Sequence, residues 1–589
     1  MCGLAAIFAH HADAKPVDAA ELQRIRDHMT ARGPDGAGQW LAPSGRVGLA
    51  HRRLSILDLS EAGAQPMTSA DGRLTIVFNG EIYNFQALRH QLELAGAVFR
   101  SHGDTEVVLE LYARHGVEGL SRLRGMFAIA LWDHARHGLL LARDGYGIKP
   151  LYYADQGGCV RAASQVKALL AGGAIDTTAD PAGHVGFLLW GHVPEPHTLY
   201  RHIRAVAPGG WMWWGEDGNH TQGRFFDVAR TIASAPADAG IDLGAALADS
   251  VRHHLIADVP VGVFLSAGLD STTIAALAAQ AMPSERLKTI TLAFDELAGT
   301  DGDEAPLAEQ VAAHYGADHA TCRIPAGDFA AARGQILADM DQPSIDGVNV
   351  WFVARAAHQR GLKVALSGLG GDEIFAGYDS FRQLPRLVER LRVFGWAPVL
   401  GRGFRAVSAP WLSRFTSPKW AGLLEYGTNL SDAYLLRRGL FMPWELPRVM
   451  DPEMARTGWR DLQPRLALAE TIQGIHDPRL AISALESAFY MRNQLLRDAD
   501  WAGMAHSLEI RVPLVDTVLL SQVVGLVKAG KPASKLDMAT CARPALPDAV
   551  LARRKTGFFV PIAQWMGQPH LRGWARRIQH DVSGKWTPE

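Results

Sequence analysis

Cys2, followed by Gly3, is the first place where residue type and position suggest chemistry. Removal of Met1 would leave Cys2 with a free α-amino group. With a pKa of about 7.7–8.0, that amine can act as base for its own thiol. One residue would then supply both nucleophile and base. Four polar clusters follow in order: Arg32-Gly33-Pro34-Asp35-Gly36, His51-Arg52-Arg53-Leu54-Ser55, Asn79-Gly80-Glu81-Ile82-Tyr83-Asn84 and Ser101-His102-Gly103-Asp104-Thr105-Glu106. An arginine fork suits a substrate carboxylate, and an Asp or Glu suits an ammonium. An Asn side-chain amide beside a Gly N–H suits an oxyanion. Together these are the parts needed to bind a free amino acid and attack its side-chain amide.

A second constellation lies in the other half of the chain. Leu265-Ser266-Ala267-Gly268-Leu269-Asp270-Ser271-Thr272 joins an apolar strand pattern to a helix pattern. Small residues there let backbone N–H groups approach phosphate oxygens. The hydroxyls add donors, and the helix start adds positive potential. The loop holds no Lys and no G-x-x-x-x-G-K-[ST], which argues against Walker-type handling of a γ-phosphate. It resembles instead the S-G-G-x-D-S pyrophosphate loop of enzymes that cleave ATP between its α and β phosphates, with Ala267 where that pattern has Gly. Asp303-Glu304 and Ser367-Gly368-Leu369-Gly370-Gly371-Asp372-Glu373 follow. Carboxylates beside a Gly-rich turn suit Mg²⁺ shared with substrate phosphates, with Asp270 and Asp372 as the metal candidates. Lys535 and the run Arg553-Arg554-Lys555-Thr556-Gly557-Phe558 could neutralise a leaving pyrophosphate.

The elements that must position these residues differ between the halves. The first ~200 residues read as β-rich. Leu74–Phe78 is a strand ending in the turn dipeptide Asn79-Gly80, and residues 125–133 and 139–142 form a hairpin. From Val259 onward, strands (259–265, 287–294, 321–324, 363–366) alternate with helices (271–282, 305–315, 350–360), which implies a parallel, doubly wound sheet. Residues 380–475 carry helical spacing rich in Arg, Trp and Leu. The pattern weakens around 206–240, giving domains at 1–208 and 240–589 with a linker at 209–239.

Composition bounds the rest. The 589 residues are 48% apolar and 20% charged with net charge −2, which excludes disorder and argues against nucleic acid or an anionic membrane as partner. Four scattered cysteines suit a reducing, cytoplasmic setting and no disulfide framework or four-ligand zinc site. No apolar run reaches the ~18 residues of a membrane span.

The N-terminal ~200 residues resemble the glutaminase domain of class II glutamine amidotransferases, an N-terminal-nucleophile (Ntn) hydrolase fold with an αββα sandwich. The resemblance implies Cys2 as nucleophile, Arg53 as clamp for the glutamine carboxylate, Asn79 and Gly80 as oxyanion hole, and Glu81 and Asp104 as holders of the amino group. Residues ~240–560 resemble the ATP-pyrophosphatase domain of glutamine-dependent asparagine synthetase. That implies ATP contacts at Leu265, Ser266, Gly268, Asp270, Ser271, Thr272, Ser367 and Gly368, with Mg²⁺ as cofactor. Glutamine, ATP and a carboxylate acceptor, aspartate first among them, are the implied partners, and a homodimer is an assembly the resemblance allows. Three departures stand out: Leu369 where the family pattern has Glu, Asp500-Trp501 where it has D-R or D-K, and Gln165 where Glu is common. They keep open an acceptor other than aspartate, such as a uronic acid.

Overall fold

The computed structural model describes residues 2–300, 302–396, 398–412 and 417–553. Its N-terminal half is a four-layer αββα sandwich. One antiparallel sheet runs in the order Arg204–Ala205, Tyr152–Gln156, Cys159–Ala163, Gly3–Ala9, Val47–Arg53, Gly36–Leu41. The other runs His220–Arg224, Gly210–Gly215, Gly138–Arg143, Gly125–Asp133, Leu74–Ile82, Met67–Thr68. Side chains alternate along each strand, so one strand feeds two cores. In Gly3–Ala9, Leu4, Ala6 and Phe8 enter the core between the sheets. Ala5 and Ile7 face the helices Ala19–His28 and Val166–Gly172. In Gly125–Asp133 the small residues Ala128 and Ala130 lie between the sheets, while Phe127, Ile129 and Leu131 pack on Phe85–Leu94 and Thr105–His115.

Asn79-Gly80 is not a turn. Both residues lie inside the strand Leu74–Ile82, with Asn79 opposite Ala128 and Gly80 opposite Phe127. The glycine answers a packing demand instead, because a Cβ at position 80 would overlap the Met126 carbonyl of the next strand. Likewise, the stretch 209–239 contains the strands Gly210–Gly215 and His220–Arg224, which form one edge of the second sheet, and then the helix Val228–Ser234.

The C-terminal half carries five parallel strands in the order Asp318–Ile324, Lys288–Phe294, Val261–Phe264, Val364–Leu366, Glu509–Arg511. Helices cover both faces. Leu269–Ala281 and Ala305–His314 share a core with Val261, Val263 and Leu366, while Val348–Gln359 and Arg497–Met504 share another with Ile290, Leu292 and Ile510. The region 380–475 is helical, as its spacing implied. It leads through Pro478–Leu485 into an 11-residue π-helix, Glu486–Leu496. The helix Pro181–Trp190 of the N-terminal half plugs into this lobe, with Leu189 and Trp190 buried among Tyr434, Leu436 and Leu485.

Candidate active sites

Cys2 is 8% exposed, at the start of the central strand of the first sheet. Gly3 pairs with Arg52 on the neighbouring strand, so the strand carrying Arg53 runs beside the cysteine. The Cys2 backbone N donates to Asn79 Oδ1 at 2.9 Å, and Arg32 Nε donates to the Cys2 carbonyl at 3.1 Å. With its oxygen engaged on Cys2, Asn79 turns its amide nitrogen the other way, where Ser164 Oγ lies 3.5 Å off. Burial pushes the Cys2 thiol pKa up, and the Glu509 and Glu81 carboxylates push the same way. A thiol so placed needs a base at the moment of attack.

Arg53 is held by the carbonyls of Asp58 and of Ser60, the latter at 2.9 Å, within the loop after its strand. Glu81 and Asp104 are both buried. Asp104 accepts the Ile82 N–H at 2.8 Å, and burial raises its pKa to about 6. Burial and the charge of Glu509 raise Glu81 well above the usual carboxylate range, while Arg511, its Nη2 3.5 Å from Glu81 Oε2, opposes that rise. Sequence reasoning gave Glu509 and Arg511 no role. Arg511 is fully buried, donates to Glu509 at 2.6 Å, and ends the last strand of the parallel sheet. It therefore carries the second domain to the edge of the cysteine site.

The loop after Val261–Phe264 is tied by its own hydroxyls. Ser266 N donates to Ser271 Oγ at 3.1 Å, Gly268 N to Ser266 Oγ at 3.2 Å, and Thr272 Oγ1 to the Gly268 carbonyl at 2.9 Å. Ala267 stays out of the left-handed region, so alanine is tolerated there. The helix Leu269–Ala281 starts at Gly268 with no side-chain cap, leaving its first N–H groups open to an anion. Ser367 and Gly368 follow the adjacent strand Val364–Leu366. A Cβ at Gly371 would overlap the Asp270 carboxylate, and one at Gly368 would come within 2.9 Å of Asp270 Cβ. Lys535 bridges Asp270 and Asp372, reaching the latter at 2.8 Å. The two carboxylates raise the Lys535 pKa against its burial. Asp303 bonds the N–H of Ala305, and Glu304 pairs with Arg553 at 3.1 Å. Residues 554–558 lie outside the described residues.

A buried strut ties the Cys2 site to the second domain. Arg32, 1% exposed, makes a two-pronged ion pair with Asp500 at 2.7 and 3.0 Å while holding the Cys2 carbonyl. Asp341 in turn caps the helix Val166–Gly172 from the other domain, accepting the N–H groups of Val166 and Lys167 at 3.0 and 2.9 Å.

The sequence matches the family model of a glutamine amidotransferase domain over residues 1–226 and that of asparagine synthase over 242–584. It is 32% identical to asparagine synthetase [glutamine-hydrolyzing] 1 of Bacillus subtilis, over 98% of this chain and 90% of the relative. The chain belongs to the glutamine-hydrolysing asparagine synthetase family. Within that family it is also 35% identical to a putative asparagine synthetase of Mycobacterium bovis, again over 98% of this chain and 90% of that one. A third relative, the amidase chry2 of Gibberella zeae, is 31% identical over 65% of this chain and 60% of its own length. Membership makes the protein an ATP-dependent carbon–nitrogen ligase with an amidotransferase half. Among the described residues no helix is long and apolar enough to cross a membrane.

Proposed function

We propose that this protein hydrolyses glutamine at Cys2 and passes the ammonia through its interior to a carboxylate activated as its adenylate. With aspartate as acceptor, the acid whose amide gives its relatives their name, the products are asparagine, AMP and pyrophosphate. The observation that carries this reading is that the Cys2 carbonyl is tied to the second domain through a buried ion pair: Arg32 grips both that carbonyl and Asp500.

The chemistry follows from the residues. The Cys2 α-amine takes the thiol proton, and Sγ attacks the glutamine side-chain carbonyl. The Asn79 amide nitrogen and Gly80 N–H stabilise the oxyanion, Arg53 holds the carboxylate, and Glu81 and Asp104 hold the ammonium. Ammonia leaves, and water later releases glutamate from the thioester. At the second site the open N–H groups after Gly268 and the hydroxyls of Ser266, Ser271 and Thr272 receive phosphate oxygens, with Leu265, Ser367 and Gly368 flanking the nucleotide. A carboxylate oxygen of the acceptor attacks the α-phosphorus and pyrophosphate departs toward Lys535. Ammonia then displaces AMP.

Among the described residues no group of three or more acidic, His or Cys side chains could cage a metal. Mg²⁺ needs no such cage, since one or two carboxylates and the substrate phosphates suffice. Asp270 and Asp372, already converging on one cation, fit that donor set. A bound Mg²⁺ would neutralise the phosphate charge there.

The reading is tested by following products with aspartate as acceptor. Glutamine or ammonium salts should each drive stoichiometric AMP and pyrophosphate release; ADP as the nucleotide product would overturn it. A second reading, the same chemistry on a larger carboxylate such as a uronic acid, is favoured by Leu369, which stands where the family pattern has Glu.

A further inference from the structure

Among the described residues, half of the large apolar side chains that stand exposed fall between Val393 and Trp411. They belong to the helix Pro398–Leu412 and to the short turn Arg392–Phe394 and the residues that lead into it. Along the helix Leu400, Phe404, Val407 and Trp411 follow at i, i+4, i+7 and i+11, so they form one stripe. Val407 is 80% exposed and Trp411 70%, and Trp396, just ahead of the helix, is 83% exposed. A protein surface tolerates such residues singly; a contiguous stripe of them marks an interaction site.

The stripe's direction is fixed. Its neighbouring row, one residue on and about 100° around the axis, holds the helix to the protein. A Cβ at Gly401 would come within 2.9 Å of the Glu425 backbone. Arg405 donates to Glu425 at 2.8 Å and lies 4.5 Å over the Trp444 ring. With that row docked, the four apolar side chains are turned outward.

The charges that precede the stripe are of one sign. On the helix Ser380–Leu391, Arg382, Arg386 and Arg390 recur every fourth residue along one face, and Arg392 follows; all four are exposed. Arg382 pairs with Asp379, but Arg386, Arg390 and Arg392 have no ion pair among the described residues. Like charges at this spacing repel one another on a helix unless an anion lies across them. Glu389 is the only acid between Ser380 and Leu412. The net charge of −2 conceals this face, because the acids that balance its arginines lie elsewhere in the sequence, so the argument from composition against an anionic membrane does not extend to it.

We propose that this face docks on the surface of an anionic lipid bilayer, with the helix Pro398–Leu412 lying in the plane of the headgroups. Its 15 residues, about 22 Å of helix, are too few to cross a hydrocarbon core of ~30 Å. An in-plane helix needs an apolar stripe for the acyl boundary, tryptophans at the headgroup level and basic side chains for the lipid phosphates. Charge selects lipid over a second copy of this chain. A two-fold contact sets the same patch against itself, so Arg390 and Arg392 would meet further arginines with Glu389 alone to offset them.

The test is co-sedimentation of the full chain with vesicles of phosphatidylcholine alone and of an equimolar phosphatidylcholine–phosphatidylglycerol mixture. The protein should bind the anionic vesicles at least tenfold more tightly, and should lose that margin in 1 M salt, where charges are screened beyond about 3 Å. Phe404→Ser combined with Val407→Ser should lower binding to anionic vesicles tenfold or more. Arg390→Glu combined with Arg392→Glu should do the same, through charge alone. Glutaminase turnover at Cys2 should stay unchanged in both double variants, which reports that they fold. The proposal is overturned if the anionic vesicles are not preferred, or if either double variant binds them as tightly as the unaltered chain. It is also overturned if Phe404→Ser with Val407→Ser splits a lipid-free dimer in sedimentation equilibrium, which would assign the face to a second copy.

Discussion

Cys2 sits where a thiolate is unfavourable, because burial outweighs the groups that would stabilise it. Its reactivity must therefore come from a base delivered in place. Cys2→Ala removes nucleophile without touching the second site, so glutamine-driven amide formation should fall by about 10³-fold or more while ammonia-driven formation persists. Parallel assays with the two nitrogen sources check this. Asp104 supplies a pH signature. Burial raises its carboxyl to about 6, so it is ionised above that value and takes a proton as pH falls through it. Its hold on the glutamine ammonium should weaken below pH 6, seen as a rising KM for glutamine at constant ammonia-driven rate. Asp104→Asn should remove that inflection. At this scale Cys2, Asn79, Glu81 and Asp104 were legible as candidates from their types and order, and the structure holds Asn79 on the Cys2 N–H. Arg32 was not legible, since its partner Asp500 is 468 positions away.

Among the elements, the strand–loop–helix around Gly268 and the loop after Val364–Leu366 depend on each other through closeness of approach. Gly371 lies against Asp270 with no room for a methyl group. Gly371→Ala should displace Asp270 and lower ATP–pyrophosphate exchange by about 10²-fold, of the order that misplacing a catalytic group costs. Glutaminase turnover, in another sheet, should be retained. Asp270→Asn should abolish pyrophosphate formation by removing half of the Lys535 clamp; an unchanged rate would place the nucleotide elsewhere. The period-2 and period-3.6 patterns identified both sandwich strands and the βα alternation, because burial on two faces leaves its mark on local sequence. Asn79-Gly80 misled because the same dipeptide serves a tight turn and a close strand crossing. Only the Met126 carbonyl on the next strand decides between them.

The two domains meet through buried polar contacts, Arg32 with Asp500 and Asp341 with the Val166–Gly172 helix among them. Removing one partner of a buried ion pair leaves the other charge stranded, so Asp500→Ala should lower stability by about 3–5 kcal/mol. The paired change Arg32→Met with Asp500→Leu should recover much of that stability. It should still lower glutamine-driven relative to ammonia-driven amide synthesis, since Arg32 would no longer hold the Cys2 carbonyl. Denaturant melts and the ratio of the two rates separate the effects.

Residue types and their local order by themselves singled out Cys2 as a candidate nucleophile and Ser266–Thr272 as a candidate phosphate loop without a Walker lysine, and they determined a β-rich half followed by a βα-repeating half. Those properties are written in near neighbours: a loop's small residues, a strand's alternation, a helix's period. Tertiary structure alone decided what the halves do to each other. It brought Asp500 onto Arg32, Asp341 onto the Val166–Gly172 helix, and Arg511 onto Glu81. Each joins residues more than a hundred positions apart, and no periodicity or motif encodes a pairing made only by packing.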